Sequence, residues 1–234
     1  MTDLMVGCPV AGRAWILPQW HEAVQAALPS DMKAQYIFAI PSWDTDSLAL
    51  AKQWKAEIIV TEEEKPDRDP RRWVDKQRYN EMADLRNKIL RRIRQICPRF
   101  YLSLDSDILL APTALQEMIE TYELNEAHAV GGFTFLDSMD PTCTNFAMWD
   151  NELGTKFRRV EAPGQHPVDV IMAIKLMGNL AYNINYQYHD LGEDFGWATA
   201  AKRAKVRIFC DGRSPSKHVM QPKWLDIVDK RVGY

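Results

Sequence analysis

The chain has 234 residues, 46% of them apolar, and a formal net charge of −3, which suits one α/β domain with a sizeable core. No apolar run approaches the roughly 20 residues of a bilayer span: the best candidate, Val168 to Tyr182, is interrupted by Asp169, Lys175 and Asn179. The N-terminus meets Asp3, Pro9 and Gly12 where a signal peptide would be basic and then apolar, so no anchor and a cytoplasmic location are expected.

Apolar runs alternate with helical patterns along the first half. Leu4–Gly7 reads as a short buried strand, followed by a loop with Pro9 and Gly12. Trp20–Leu28 reads as a helix stopped before Pro29, and Tyr36–Ile40 as a strand stopped by Pro41. Ser47–Trp54 is helical, with Ser47 or an adjacent Asp as cap, and Glu57–Thr61 is a strand. Asp75–Gln95 is a long helix whose Met82, Leu85, Ile89 and Ile93 share one face. Phe100–Leu104 is a strand that runs into Asp105, Thr113–Leu124 a helix, and Ala127–Leu136 a strand pair or a strand bent at Gly131-Gly132. Alternation of this kind predicts a mostly parallel sheet with helices on both faces. Ligand loops then lie at the carboxyl ends of the strands.

The second half is less regular. Asn145–Gly164 reads as loop or short strands, Val168–Met177 as an ambiguous apolar segment, Phe195–Ala204 as a helix and Val206–Cys210 as a short strand. In Gln221–Tyr234 the pattern Trp224, Leu225, Val228 predicts one amphipathic turn. Cys8, Cys97, Cys143 and Cys210 form no close pair, which excludes a C-x-x-C motif and leaves reduced, mostly buried thiols.

The strongest chemical signal is Asp105-Ser106-Asp107 at the end of the strand Phe100–Leu104. Two carboxylates one residue apart at a strand end can turn toward one hard cation, and such a pair suits Mn²⁺ or Mg²⁺ that also grips a diphosphate. The alternative is an Asp-rich surface turn. A second constellation is Gly192-Glu193-Asp194 at a helix start, where acidic groups are welcome as caps and one carboxylate can act as general base. His218 follows a short strand, and a neutral imidazole there can complete a metal shell.

This order of motifs resembles the GT-A glycosyltransferases (family 2-like or related) over most of residues 4–220. The resemblance implies one domain with a nucleotide-sugar-binding half (1–112), an acceptor-binding half (113–220) and a C-terminal tail (221–234). It implies that Asp105 contacts ribose or metal, that Asp107 and His218 ligate the metal, and that Asp194 with Glu193 meets the acceptor. It further implies that the loop Pro9–Arg13, with Pro9, Val10 and Arg13, covers the base and ribose. Asp44 would reach the base, Ser106 would line the donor site, and Arg86 would contact the nucleotide or its phosphates. The first loop departs from the family's usual wording, and no separate acceptor domain is visible.

The expected reaction is transfer from a nucleoside diphosphate sugar, a UDP-sugar first, to a hydroxyl acceptor. Trp149 and Trp197, with Tyr182 and Tyr188, are candidate stacking faces for it. Residues 71–99 hold ten Lys/Arg against three Asp/Glu, and residues 201–234 nine against three. Those two basic strips point to a hydroxymethylated pyrimidine in DNA as one acceptor; a soluble glycan or small molecule is the alternative. A sugar nucleotidylyltransferase and a non-catalytic nucleic-acid-binding module are the competing classes. The first needs a Gly-rich loop that Val10–Arg13 only thinly supplies, and the second leaves the strand-end carboxylates unexplained.

Overall fold

A computed structural model describes residues 2–62, 76–136, 143–151, 156–160 and 164–225. Three expectations therefore fall partly outside the described residues: the helix start at Asp75, parts of the segment 145–164, and the tail beyond Leu225.

The elements in chain order are β1 (Leu4–Pro9), α1 (Leu17–Ala27), β2 (Ala34–Pro41), α2 (Thr45–Gln53), β3 (Glu57–Thr61), α3 (Lys76–Ile96), β4 (Phe100–Leu104), β5 (Ile108–Leu109), α4 (Ala114–Leu124), β6 (Ala129–Thr134), β7 (Phe146–Trp149), β8 (Phe157–Arg159), β9 (Gln165–Pro167), β10 (Val170–Ile171), β11 (Ile174–Met177), α5 (Asn179–Tyr182), α6 (Glu193–Arg203) and β12 (Ile208–His218). A 3-10 turn at Pro222–Trp224 follows. The main sheet runs β3-β2-β1-β4-β11-β6-β12-β5, with β9 also pairing β12. Strands β1 to β4 are parallel, β12 is parallel to β6, and β11 is antiparallel to both of its neighbours. The sheet is mainly parallel and flanked by helices, as expected.

Alternation along each strand builds a core on either face. In β1, Leu4 and Val6 join a cluster with Trp20 and Val24 of α1 and Leu115 of α4, while Met5 joins Ile89 and Ile93 of α3 and Trp197 of α6. This period of two, against helices with single apolar stripes, is what the sequence pattern encodes.

Three boundaries differ in ways that matter for the site. Helix α1 begins at Leu17, because Pro18 is tolerated in a first turn where its missing N–H costs nothing. The ambiguous segment 168–177 splits into β10 and β11, and β11 enters the centre of the sheet, where both faces are covered and periodicity is lost. Strand β12 is eleven residues rather than five, with a register shift between Asp211 and Ser216. Its polar second half gave no strand signal. Arg213 reaches Asp211 and Glu120 there, and Thr121 donates to Asp211, so buried polar groups stabilise the irregular stretch. The glycine pair 131–132 lies inside one strand, β6, not a hairpin.

All four cysteines are free; Cys8 and Cys210 are buried, Cys143 is half-buried and Cys97 exposed, so "mostly buried" holds for only two. Among the described residues no helix is long and apolar enough to cross a membrane.

Candidate active site

A cleft of about 500 Å³ opens at the carboxyl edge of β1, β2 and β4. Pro9, Val10, Ala11, Ala39 and Pro41 wall one side, and Arg78, Tyr79, Met82 and Leu85 of α3 another; Arg13, Arg86, Asp105, Ser106, Asp107, Glu193 and Asp194 also line it. Most residues singled out in the sequence thus converge on one depression.

The turn after β4 is pinned from both sides. Asp105 donates its N–H to the Ala173 carbonyl at 2.9 Å, and its own carbonyl accepts from Trp20 Nε1 at 3.1 Å. Asp107 leads into β5, whose Ile108 pairs with His218 of β12, and Val219 donates to the Asp107 carbonyl at 2.7 Å. The length of β12 is therefore what delivers His218: its Nε2 lies 3.6 Å from Asp107 Oδ1. Its Nδ1 faces the carbonyls of Phe135 (3.2 Å) and Leu136 (3.1 Å), to which it donates. In the neutral ring that leaves the Nε2 lone pair directed at Asp107, the tautomer that metal-binding histidines adopt.

Cations match each carboxylate. Arg13 reaches Asp107 Oδ2 at 2.8 Å and the Met220 carbonyl at 3.3 Å. Burial works against ionisation of Asp107, but His218 and Arg13 outweigh it and hold the carboxyl below its usual range. Burial likewise opposes charge on His218, and Asp107 outweighs that, raising the imidazole pKa. Arg86 is buried, with Nη2 on Asp105 Oδ1 (2.7 Å), Nε on Glu193 Oε1 (3.1 Å) and Nη1 on Ser103 Oγ (3.2 Å). Its donors thus serve side chains that frame the cleft. Next to it, Asn87 brackets Tyr186, donating to its carbonyl and accepting from its N–H.

Glu193 and Asp194 form the first turn of α6. Gly192 before them has φ 114° and ψ 165°, a backbone region that only glycine adopts readily. Gly196 lets the helix seat, since a Cβ there would fall 1.9 Å from the Gln187 carbonyl oxygen. Gly192→Ala is expected to cost about 1–3 kcal/mol in urea melts and to displace the acidic pair; a variant as stable as the wild type would contradict this.

Sequence reasoning missed Lys175. It noted the residue only as a break in an apolar run, whereas Nζ lies fully buried, 2.6 Å from Asp194 Oδ1. A lysine in the middle of an otherwise apolar central strand was the available signal.

Three expectations need correction. Trp197 is 0% exposed, packed in the core beneath α6, and Tyr182 is 1% exposed, so neither offers a face to an acceptor. Trp149 is 9% exposed and packs on His189 and Phe195, outside the cleft lining. Tyr188, at 40%, keeps an exposed face. Asp44 also stands behind the cleft: it caps α2 through Ser47 N–H and accepts from Gly12 N–H at 2.7 Å, bracing the first loop. Most described cations of the basic segments lie outside the cleft lining. Arg92 pairs with Glu57, Arg99 with Glu123, Arg207 with Glu126 and Arg213 with Asp211. Of the described Lys and Arg residues in those segments, only Arg78 and Arg86 line it.

A divalent cation would find a partial shell here. Among the described residues no group of three or more His, Cys, Asp or Glu could hold a metal. Asp107 and His218 nevertheless present an oxygen and a nitrogen donor side by side, with Asp105 near. That donor set fits Mn²⁺ or Mg²⁺, ions that take one or two protein ligands and complete their shell with phosphate oxygens and water.

Solved structures share this architecture. No protein-family model and no curated protein matches the sequence. Among solved structures, A197 from STIV superposes with a TM-score of 0.54 at 9% identity, over 94% of this chain and 87% of that one. A mannosyltransferase from Pyrobaculum calidifontis, solved with GDP-Man and Mn²⁺, matches at TM-score 0.58 and 12% identity over 94% of this chain. The chain has the GT-A glycosyltransferase fold. Residues 1–349 of S. aureus TarS match at 0.56 and 10% over 92%. The chain spans 57% of the mannosyltransferase and 59% of that TarS chain.

Proposed function

We propose that the protein transfers a sugar from a nucleoside diphosphate sugar to a hydroxyl acceptor with help from a divalent metal ion. The observation that carries this reading is the pairing of Asp107 with His218 beside Arg13, in the same cleft as the acidic pair Glu193–Asp194. Asp107 and His218 would hold Mn²⁺ or Mg²⁺, with Asp105 assisting. When bound, the ion offsets the charge that develops on the departing diphosphate. Arg13 is the cation nearest to Asp107 able to turn to a phosphate oxygen. Pro9, Val10 and the wall formed by Ala39 and Pro41 suit the nucleoside, and Ser106 borders the donor. Arg86 orients Asp105 and Glu193 together. Residues 1–112 serve the donor in this reading, and 113–220 the acceptor.

Burial and the Asp194 charge raise the pKa of Glu193, with Arg86 opposing them. Burial opposes ionisation of Asp194, but Lys175 and Arg86 outweigh it and lower its pKa. Two neighbouring carboxylates driven apart in this way are suited to different tasks.

UDP is the nucleotide we place first, and the acceptor is a hydroxyl compound small enough to enter the cleft. Among the described residues no basic track leads to the cleft, so a hydroxymethylpyrimidine would reach it as an extruded base, at a cost of a few kcal/mol. Salt-sensitive binding of duplex DNA that weakens on Arg78→Gln would restore that acceptor.

A thermal-shift panel of UDP, GDP, CDP and ADP, each with and without Mn²⁺, tests the donor reading. Stabilisation by one diphosphate only with Mn²⁺ is expected. No shift with any of them would overturn it. Pyrophosphate rather than nucleoside diphosphate as product would mark a nucleotidylyltransferase.

A further inference from the structure

Lys175 does not line the cleft, yet it holds the most enclosed charge beside it. On β11 it lies in register between Ser103 of β4 and Gly131 of β6. Ile174 and Leu176, its neighbours in sequence, face the opposite core, so Lys175 points toward α3 and α6. Its Nζ is 2.6 Å from Asp194 Oδ1 and 5.6 Å from the centre of the Tyr186 ring. The charged or titratable groups around the pair are Glu193 on α6, Arg86 on α3, Asp105 after β4, and the Tyr186 phenol.

Stability alone does not call for such a pair. A buried ion pair is often replaceable by apolar side chains at no loss, because desolvation consumes most of the attraction. What distinguishes this pair is that its acidic end lines the cleft. Burial disfavours the ammonium, but Asp194 outweighs it and Lys175 stays protonated.

We propose that Lys175 is a positioning residue that, through its 2.6 Å contact, fixes Asp194 as a carboxylate anion on the cleft floor. This rests on the glycosyl-transfer reading, in which that charge faces the positive charge that develops on the sugar.

The test is Lys175→Met, read by release of nucleoside diphosphate from the sugar donor with water as acceptor, across pH. Asp194 without its cation needs a higher pH to ionise, so the acid limb should move upward. Release at pH 7 should fall about 100-fold, the scale of losing one preorganised electrostatic contact, and recover in part as pH rises. Affinity for the nucleoside diphosphate with Mn²⁺ should stay within about threefold, since Lys175 lies outside the cleft lining. A profile that keeps its wild-type shape, at any level, overturns the role while leaving the transferase reading intact. If the single variant does not fold, Lys175→Met with Asp194→Asn removes both charges and should restore the melting temperature; a double variant no more stable than the single one overturns the pairing. Wild-type protein that binds no nucleoside diphosphate overturns the transferase reading, and this role falls with it.

Discussion

Asp107→Asn should abolish the metal-dependent part of nucleotide binding while leaving the fold in place. The substitution keeps the size of the side chain but removes the charge that faces His218 and Arg13. A ligand at 100 times its Kd stabilises the native state by about 2.7 kcal/mol. For a domain of this size that corresponds to roughly 5–10 °C in melting temperature. The wild type should show a shift of that order with the correct diphosphate and Mn²⁺, and the variant almost none. The same variant should also lose a pH-dependent contribution to stability. The native carboxyl is held below its usual range, so its contribution is present above the unfolded-state pKa and disappears as pH falls through the native one. Wild type and variant should therefore converge in stability in acid. Equal shifts with Mn²⁺ in the two proteins would remove Asp107 from the metal site.

Arg86→Met should have the largest effect on stability. The guanidinium is buried and serves Asp105, Glu193 and Ser103 at once. Burial disfavours its charge, but Asp105 and Asp194, with Tyr186 and Glu193, outweigh that and keep it protonated. Removing one partner from buried ion pairs costs about 3–5 kcal/mol, because the remaining charges stay unpaired. That is a large share of the 5–15 kcal/mol typical of a folded domain. The sign of the pH dependence follows. Without Arg86, which opposes the rise, the native pKa of Glu193 climbs further above its ordinary value. Stability is then retained below the unfolded pKa and lost as pH climbs through the raised native value. Urea melts should show a deficit that is large at pH 7 and smaller near pH 5. A deficit independent of pH would mean that packing, not charge, is what Arg86 supplies.

The first half of the fold was legible because its strands are short and apolar, several of them bounded by Pro or Gly, and its helices each have one apolar face. The Asp105–Asp107 turn was legible for a related reason: carboxylates directly after the apolar strand Phe100–Leu104 have no structural need to be there. Helix α6 and its acidic first turn were visible from Gly192 onward, but the seating of Gly196 against Gln187 was not, since close backbone approach leaves no periodic trace. His218 could be singled out by type, yet its approach to Asp107 depends on a strand whose polar second half reads as loop. Lys175 and Trp197 show the opposite failure. A lysine looks like a surface residue and a tryptophan near an acidic pair looks like a binding face, and only the placement of β11 and α6 against one another reverses both. The basic segments say little about the site because charge counts carry no direction, and several of those cations are paired with carboxylates outside the cleft.

The most direct test of the account is product analysis after incubation of the protein with a panel of UDP-, GDP-, CDP- and ADP-sugars in Mn²⁺, comparing wild type with Asp107→Asn. Release of a nucleoside diphosphate from one donor class by the wild type, and loss of that release in the variant, is the predicted result. Absence of release from every donor, or equal release by the two proteins, would contradict it.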